Sequence, residues 1–334
     1  MTGALSLLAN GIGFHTAHLF MNKYICWLPL LRTIYRVGLL LLTICLLNEC
    51  HSSTAQQPGL WPLYSQGLRQ AKYVDLTHTI TPNMPRGTAF EPVRFARTPN
   101  PFTQQPFDYP TEGVGITSYT LTTDQLGTQL DPPAHWSPDY PAIDELPPTF
   151  TLRPLVVISI VAQLQRLPGY HLQVSDIQTW EKQYGRIPEG SVVFVRSDWS
   201  KRWADPSVAQ APLFAGVSLK ALQWLHGQRR ILFHGHEPLE TDTTRERVGE
   251  TWLLRQGYTQ AEGVCHLDQA PPTGALVAIG YPKFGGGTGG YARFVAICPA
   301  DWPYGTGIDI TKESPLPRQA KPLHWDQAAG MRVR

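Results

Sequence analysis

The sequence predicts an α/β fold, built as one domain over residues 71–305. Three observations carry that expectation. Leu155 to Val161 and Ser191 to Arg196 are short, nearly continuous apolar runs, the pattern of strands buried on both faces. Helix-like segments alternate with them along one continuous stretch, which favours a single mixed core. Thirty Pro and 29 Gly among 334 residues mark many tight turns rather than a helix bundle.

The elements follow in order. Tyr73 to Ile80 alternates and is rich in β-branched residues, so it reads as a strand, broken by Pro82, Pro85 and Gly87. A long loop runs through Pro99-Asn100-Pro101 to Pro110. Ile116 to Thr123 is a second alternating strand, running into Asp124-Gln125-Leu126-Gly127-Thr128-Gln129-Leu130-Asp131-Pro132-Pro133-Ala134-His135-Trp136. Ser175 is a plausible N-cap for a helix through Glu181. Ser218 to Leu225 reads as another helix, leading to the strand-like Ile231-Leu232-Phe233. Glu250 to Gln256 is helical and stops at Gly257. Ala275 to Ile279 and Arg293 to Ile297 read as closing strands joined by the glycine cluster 285–290. The tail 306–334 is Pro- and Lys-rich and is expected to be poorly ordered.

The N-terminal 55 residues read as an export segment rather than fold. Arg32 and Arg36 precede an apolar run from Val37 to Leu47 that is too short to span a bilayer comfortably. Ser53-Thr54-Ala55 offers small residues for cleavage after Ala55, with residues 56–70 as a leader. Met21 is an alternative start. The rival readings are an uncleaved membrane anchor and lipidation at Cys50, which the charged Glu49 opposes. The expected location is periplasmic or extracellular. Of five cysteines, only Cys265 and Cys298 fall in the body, and they read as two buried thiols rather than a disulfide framework. With 28 Lys and Arg against 26 Asp and Glu and no basic stripe, nucleic acid is excluded as a partner.

Two stretches concentrate polar groups. Gln125, Gln129, Asp131 and His135 surround a Gly-Thr turn and a Pro-Pro brake. On spacing alone they read equally as a polar turn closed by its own hydrogen bonds or as donors for a divalent ion. His234, His236, Glu237, Glu240 and Asp242 follow a buried strand, where α/β folds often place functional groups. Glu250 and Glu262 lie farther on. The cluster Gly285-Gly286-Gly287-Thr288-Gly289-Gly290 lacks the Gly-Lys-Ser/Thr ending of a phosphate loop.

Taken in order, these pieces resemble the cyclase family of metal-dependent hydrolases, which includes bacterial kynurenine formamidase and isatin hydrolase. The resemblance covers about residues 72–300. It rests on Val74-Asp75-Leu76-Thr77-His78 with Met84-Pro85, Gly127-Thr128 with Asp131-Pro132 and His135, and Gly190 to Trp199. It continues through Ala215 to Ser218, Glu262 before Leu267-Asp268, and Gly287-Thr288-Gly289 before Arg293. The resemblance implies a swivelling β/β/α domain assembled as a homodimer or homotetramer. It also implies an arylformamidase-like hydrolase of an amide or cyclic amide, and a divalent ion, manganese or zinc.

The family's His-x-Gly-Thr-His-x-Asp-x-Pro-x-His motif is altered here. Asp131 and His135 match, whereas Gln125 and Gln129 stand in place of the two His ligands. Glu250 stands where a later His ligand falls, and Glu262 matches a Glu ligand. The implied ion would then be held by Asp131, Glu250 and Glu262 with help from Gln129 and Gln125, a harder, oxygen-rich set. His135 would be the general base. His236, Glu237, Trp136 and Phe90 are expected around the substrate or behind the ligands. The rival reading is a small-ligand-binding protein on the same scaffold, its chemistry altered or lost with the His pair.

Overall fold

A computed structural model describes residues 59–334, and the compact unit considered below is Leu63–Arg334. The expected export segment and the first three leader residues, 56–58, lie outside the described residues. Among the described residues, no helix is long and apolar enough to cross a membrane.

One nine-stranded sheet organises the chain. Its strands, in chain order, are β1 (Lys72–Asp75), β2 (Gln129–Asp131), β3 (Leu152–Ser159), β4 (Val192–Arg196), β5 (Phe233–His236), β6 (Thr259–Glu262), β7 (Ala275–Gly280), β8 (Gly290–Tyr291) and β9 (Arg293–Cys298). Their spatial order is β1-β9-β7-β3-β4-β5-β6-β2-β8. The four central strands, β3 to β6, run parallel. The flanking pairs are antiparallel. Parallel neighbours need crossovers, and three helices supply them: α1 (Val174–Tyr184), α2 (Leu219–Gln223) and α3 (Val248–Arg255).

The strongly apolar central strands are covered on both sides. One face packs under the helices through Val156, Ile158, Val193, Val195, Ile177, Leu222 and Leu253. The other encloses a second core around Phe194, Phe233 and Phe294. Those three rings pack 5.3–6.5 Å apart, and truncating one to Ala should cost about 3–5 kcal/mol. This is a mixed α/β architecture with a large curled sheet, as expected.

Local departures have local causes. The first strand ends at Asp75, and Thr77 makes only an isolated bridge to Val264. Thr117–Thr120 does not join the large sheet but pairs with Arg94–Arg97 in a separate hairpin. Helix α1 begins earlier than Ser175 suggests, because Gln173 is its N-cap and the Asp176 carboxylate accepts from the Gln173 amide at 2.8 Å. Ser218 does cap α2, accepting from the amide of Ala221. Cys265 and Cys298 are free and buried.

The tail is the clearest correction. Instead of lying loose, it folds a hairpin of His324–Asp326 and Met331–Val333. Arg332 anchors it, donating to the Phe107 carbonyl at 2.9 Å and to Thr117 Oγ1. The Pro- and Lys-rich composition of the approach hid a closing segment held by one buried guanidinium.

Candidate functional site

The site forms where β2 is laid antiparallel on β6, at the end of the parallel strands. Residues two apart on a strand share a face. Gln129 and Asp131 of β2 therefore point together, as do Gln260 and Glu262 of β6. The register sets Gln260 opposite Asp131 and Glu262 opposite Gln129. The result is a checkerboard in which every carboxylate has an amide beside it and an amide across from it. All four residues are buried, with Asp131 and Gln260 fully so.

Hydrogen bonds knit this patch. Gln129 Nε2 lies 3.1 Å from Glu262 Oε2 and 3.3 and 3.4 Å from the two Asp131 oxygens. Gln260 Nε2 lies 3.2 Å from Asp131 Oδ2 and 3.1 Å from Glu262 Oε1. Gln129 also donates to Gln125 Oε1 at 2.6 Å, and Gln125 Nε2 reaches the Thr288 carbonyl at 3.4 Å. A Cβ on Gly289 would fall 2.1 Å from Gln125 Nε2, so the glycine cluster serves to admit Gln125, not a phosphate. On the other side Thr241 Oγ1 donates to Gln260 Oε1 at 2.7 Å and meets His236 Nε2 at 3.0 Å.

Gly127-Thr128 builds the frame. Gly127 and Gly263 both have positive φ, and a Cβ on Gly263 would lie 2.2 Å from the Gly127 carbonyl, so the two turns approach as only glycine allows. Thr128 Oγ1 donates to the Gly263 carbonyl at 2.6 Å and accepts from the His78 amide at 2.9 Å. It pins the end of β6 to the segment after β1.

A cavity of about 520 Å³ opens over the patch, lined among others by Phe90, Gln125, Gln129, His135, Arg247, Glu250 and Glu262. His135 ends a 3₁₀ turn, Pro133–His135, that follows β2. Burial lowers its pKa, with Arg247 adding to the effect and Asp124 opposing it, so the imidazole is a neutral base near pH 7. Glu250 projects from the first turn of α3. Its Oε1 accepts from the Trp136 indole at 3.3 Å, while Oε2 is buried without a partner.

Burial first, then the Asp131 and Glu240 charges, push Glu250 up to about 8. Burial also raises Asp131 to about 7, against the pull of Gln260 and Gln129. Glu262 rises well above its usual range through burial and then the charges of Asp131 and Glu250. Burial lowers His236 to about 4, so its 3.8 Å approach to Glu262 is not an ion pair at neutral pH.

The structure thus brings Gln125, Gln129, Asp131, His135, Glu250 and Glu262 together, with Phe90 on the wall. Trp136 holds Glu250 rather than lining the cavity. His236 stands behind Gln260 through Thr241. Glu237 is a correction: it turns to the chain after β4, where its carboxylate accepts from the Ser197 and Trp199 amides and the Ser197 and Ser200 hydroxyls. That clamp shapes the Trp199–Trp203 segment, and Trp203 stacks on His78 at 3.7 Å.

Gln260, Thr241 and Arg247 were missed. Gln260 lies two before Glu262 on β6, opposite Asp131. Arg247 supplies the guanidinium among the cavity residues and pairs with Glu240 at 2.7 Å.

The donor set decides whether the implied divalent ion fits. Gln129 turns its amide nitrogen, not its oxygen, toward the carboxylates, and an amide NH2 only donates. A cation at that convergence would meet N–H hydrogens. Among the described residues, no group of three or more His, Cys, Asp or Glu side chains takes an ion-holding arrangement. The residues as placed do not fit the ion, against the ligand set of Asp131, Glu250, Glu262, Gln129 and Gln125 that the resemblance implies.

Comparison with known proteins places the scaffold. The sequence profile of the Cyclase family matches residues 74–243. The curated isatin hydrolase of Roseibium aggregatum is 26% identical over 247 residues, covering 69% of this chain and 93% of that protein. The solved isatin hydrolase A from Ralstonia solanacearum superposes with a TM-score of 0.65 at 28% identity, covering 74% of this chain and all of the other. Isatin hydrolase A from Labrenzia aggregata, bound to benzyl benzoate, gives 0.64 at 26% identity over 72% of this chain and all of that one. More distant proteins of the same fold are described as metal-dependent hydrolases. The profile spans half of the sequence, and the matched structures share its sheet; the chain belongs to the cyclase family.

Proposed function

We propose that this protein hydrolyses the C–N bond of a small cyclic amide with an aromatic body, isatin-type lactams first and formyl-anilides second. The observation that carries this reading is the pairing on one cavity of a neutral imidazole, His135, with the Glu250 carboxyl, whose Oε2 is buried without a partner. Groups whose environments drive their pKa values apart make an acid and a base at one pH. His135 takes a proton from the water that attacks the carbonyl carbon. The C–N bond then breaks, and the Glu250 carboxyl gives its proton to the departing nitrogen. His135 returns the proton to Glu250, so the cycle closes. Phe90 offers an apolar face to the ring, and the Arg247 guanidinium is the positive group available to the developing oxyanion.

The resemblance implies a divalent ion, manganese or zinc; the distant structures described as metal-dependent hydrolases support a metal without naming which. The donors of this chain oppose it, so no step is assigned to it. Export by the N-terminal segment and assembly as a homodimer or homotetramer belong to the same proposal.

A second reading, ligand binding without turnover, is supported by the amides of Gln125 and Gln129, which stand where the resemblance implies two His ligands. The full chain incubated with isatin, and separately with a formyl-anilide, separates the two. Ring opening or deformylation followed by absorbance supports the hydrolase. Saturable isatin binding without turnover of either compound overturns it in favour of binding.

A further inference from the structure

The geometry points to a centre that works without a metal ion, in which the amides of Gln129 and Gln260 hold Asp131 and Glu262 together instead. It concerns the site of the proposed function but rests on the placement of these side chains, not on turnover.

The two amide nitrogens carry four N–H hydrogens and face four carboxylate oxygens. One Gln129 hydrogen goes to Gln125 Oε1 at 2.6 Å and the other to Glu262 Oε2 at 3.1 Å. Those of Gln260 go to Asp131 Oδ2 at 3.2 Å and Glu262 Oε1 at 3.1 Å. Asp131 Oδ1 keeps the longer Gln129 contact of 3.3 Å, so three of the four oxygens are met from within the patch. A buried carboxylate pair needs a partner, and here the partner is covalently part of the chain.

The amide orientations are fixed by their neighbours. Gln125 turns Nε2 toward the Thr288 carbonyl, which can only accept, at 3.4 Å. That leaves Gln125 Oε1 facing Gln129, which must answer with Nε2. The same nitrogen then faces the carboxylates. At the other end the Thr241 hydroxyl donates to Gln260 Oε1, which turns Gln260 Nε2 inward. Reversing Gln129 or Gln260 would set oxygen against oxygen in a buried site, at a cost of about 1–3 kcal/mol for each unmet group.

Gln125 and Gln129 operate as a unit: Gln125 Oε1 is the acceptor that orients Gln129, and Gly289 leaves the room that Gln125 needs.

The test uses the full chain. The protein is equilibrated in turn with manganese, zinc, magnesium and calcium, passed over a desalting column and assayed for bound metal by elemental analysis. The expected content is below about 0.1 equivalent for each ion, against the about one equivalent of an ordinary single-ion site. About one equivalent of any of them overturns the proposal.

A Gln125→His, Gln129→His double variant is expected to bind zinc or manganese at least about tenfold more tightly than the natural chain. If it folds with unchanged circular dichroism and shows no gain, the amide pair is not what excludes the ion, and the proposal falls. If it does not fold, the natural chain's metal content decides alone. Where turnover is seen, it should persist in EDTA, and its loss there counts against the proposal. A chain with no turnover and no metal would sink the hydrolase reading while leaving this one standing.

Discussion

Gln129 and Glu262 stand directly opposite each other on β2 and β6, with the amide nitrogen 3.1 Å from a carboxylate oxygen. Cross-strand partners are the unit of sheet stabilisation. This pair lies at the site's centre, so the same contact that fixes the register of β2 also fixes the cavity floor.

That coupling makes Gln260 a stability residue. Gln260→Leu would remove the donor to Glu262 Oε1 and the acceptor of the Thr241 hydroxyl. Each unmet buried group costs about 1–3 kcal/mol. At about 2–4 °C per kcal/mol for a large domain, a drop of several degrees in the melting midpoint is expected by circular dichroism. A shift under about 2 °C would show that water or a rearranged side chain replaces the amide.

The buried carboxyls set the pH dependence. Glu250 is raised from 4.5 to about 8 in the folded state, so between those values the folded chain holds a proton that the unfolded chain releases. Stability from this group is fully present below pH 4.5 and is lost as pH rises through about 8. Asp131 and Glu262 shift in the same direction. Denaturant midpoints of the natural chain should therefore fall from pH 5 toward pH 8, and Glu250→Gln should flatten that fall. Parallel profiles for the two proteins would mean that Glu250 is ionised in the fold.

Much of this site was legible in the sequence, for physical reasons. Gln125, Gln129, Asp131 and His135 lie within eleven residues of a turn, so local geometry alone brings them close. Glu250 and Glu262 came from the family's order of motifs, since their contact with β2 is long-range. Glu237 was misplaced because a carboxylate after a strand reads the same whether it faces a cavity or clamps a loop. Gln260 was passed over because amides in strands are commonplace, and its meaning depends on the antiparallel register with Asp131. The direction in which Gln129 turns its amide, on which the metal question hinges, is set by the Thr288 carbonyl 163 residues beyond Gln125.

His135 carries the chemical prediction. His135→Asn keeps a polar side chain of similar size but removes the base. kcat for isatin ring opening should fall by about 10²–10⁴-fold, with KM and the melting midpoint nearly unchanged. Stopped-time absorbance assays on the full chain check this. A variant within about threefold of the natural kcat would move the base elsewhere.

The C-terminal hairpin makes a separate prediction about the fold. The Arg332 side chain is 7% exposed. Its guanidinium lies over Tyr109 and Trp325, 5.8 Å from each ring centre, and bonds the Phe107 carbonyl. A desolvated cation–π contact is worth about 2 kcal/mol, and the carbonyl hydrogen bond adds to it. A two-stranded hairpin is marginal alone, so this anchor decides whether it stays docked. In Arg332→Ala, amides of 324–333 should lose most of their hydrogen-exchange protection while those of the central strands keep theirs. Turnover should be unaffected, because the hairpin contacts the Arg94–Arg97 and Thr117–Thr120 region rather than the cavity floor. Unchanged protection in 324–333 would show that Trp325 and the strand pairing hold the hairpin without Arg332.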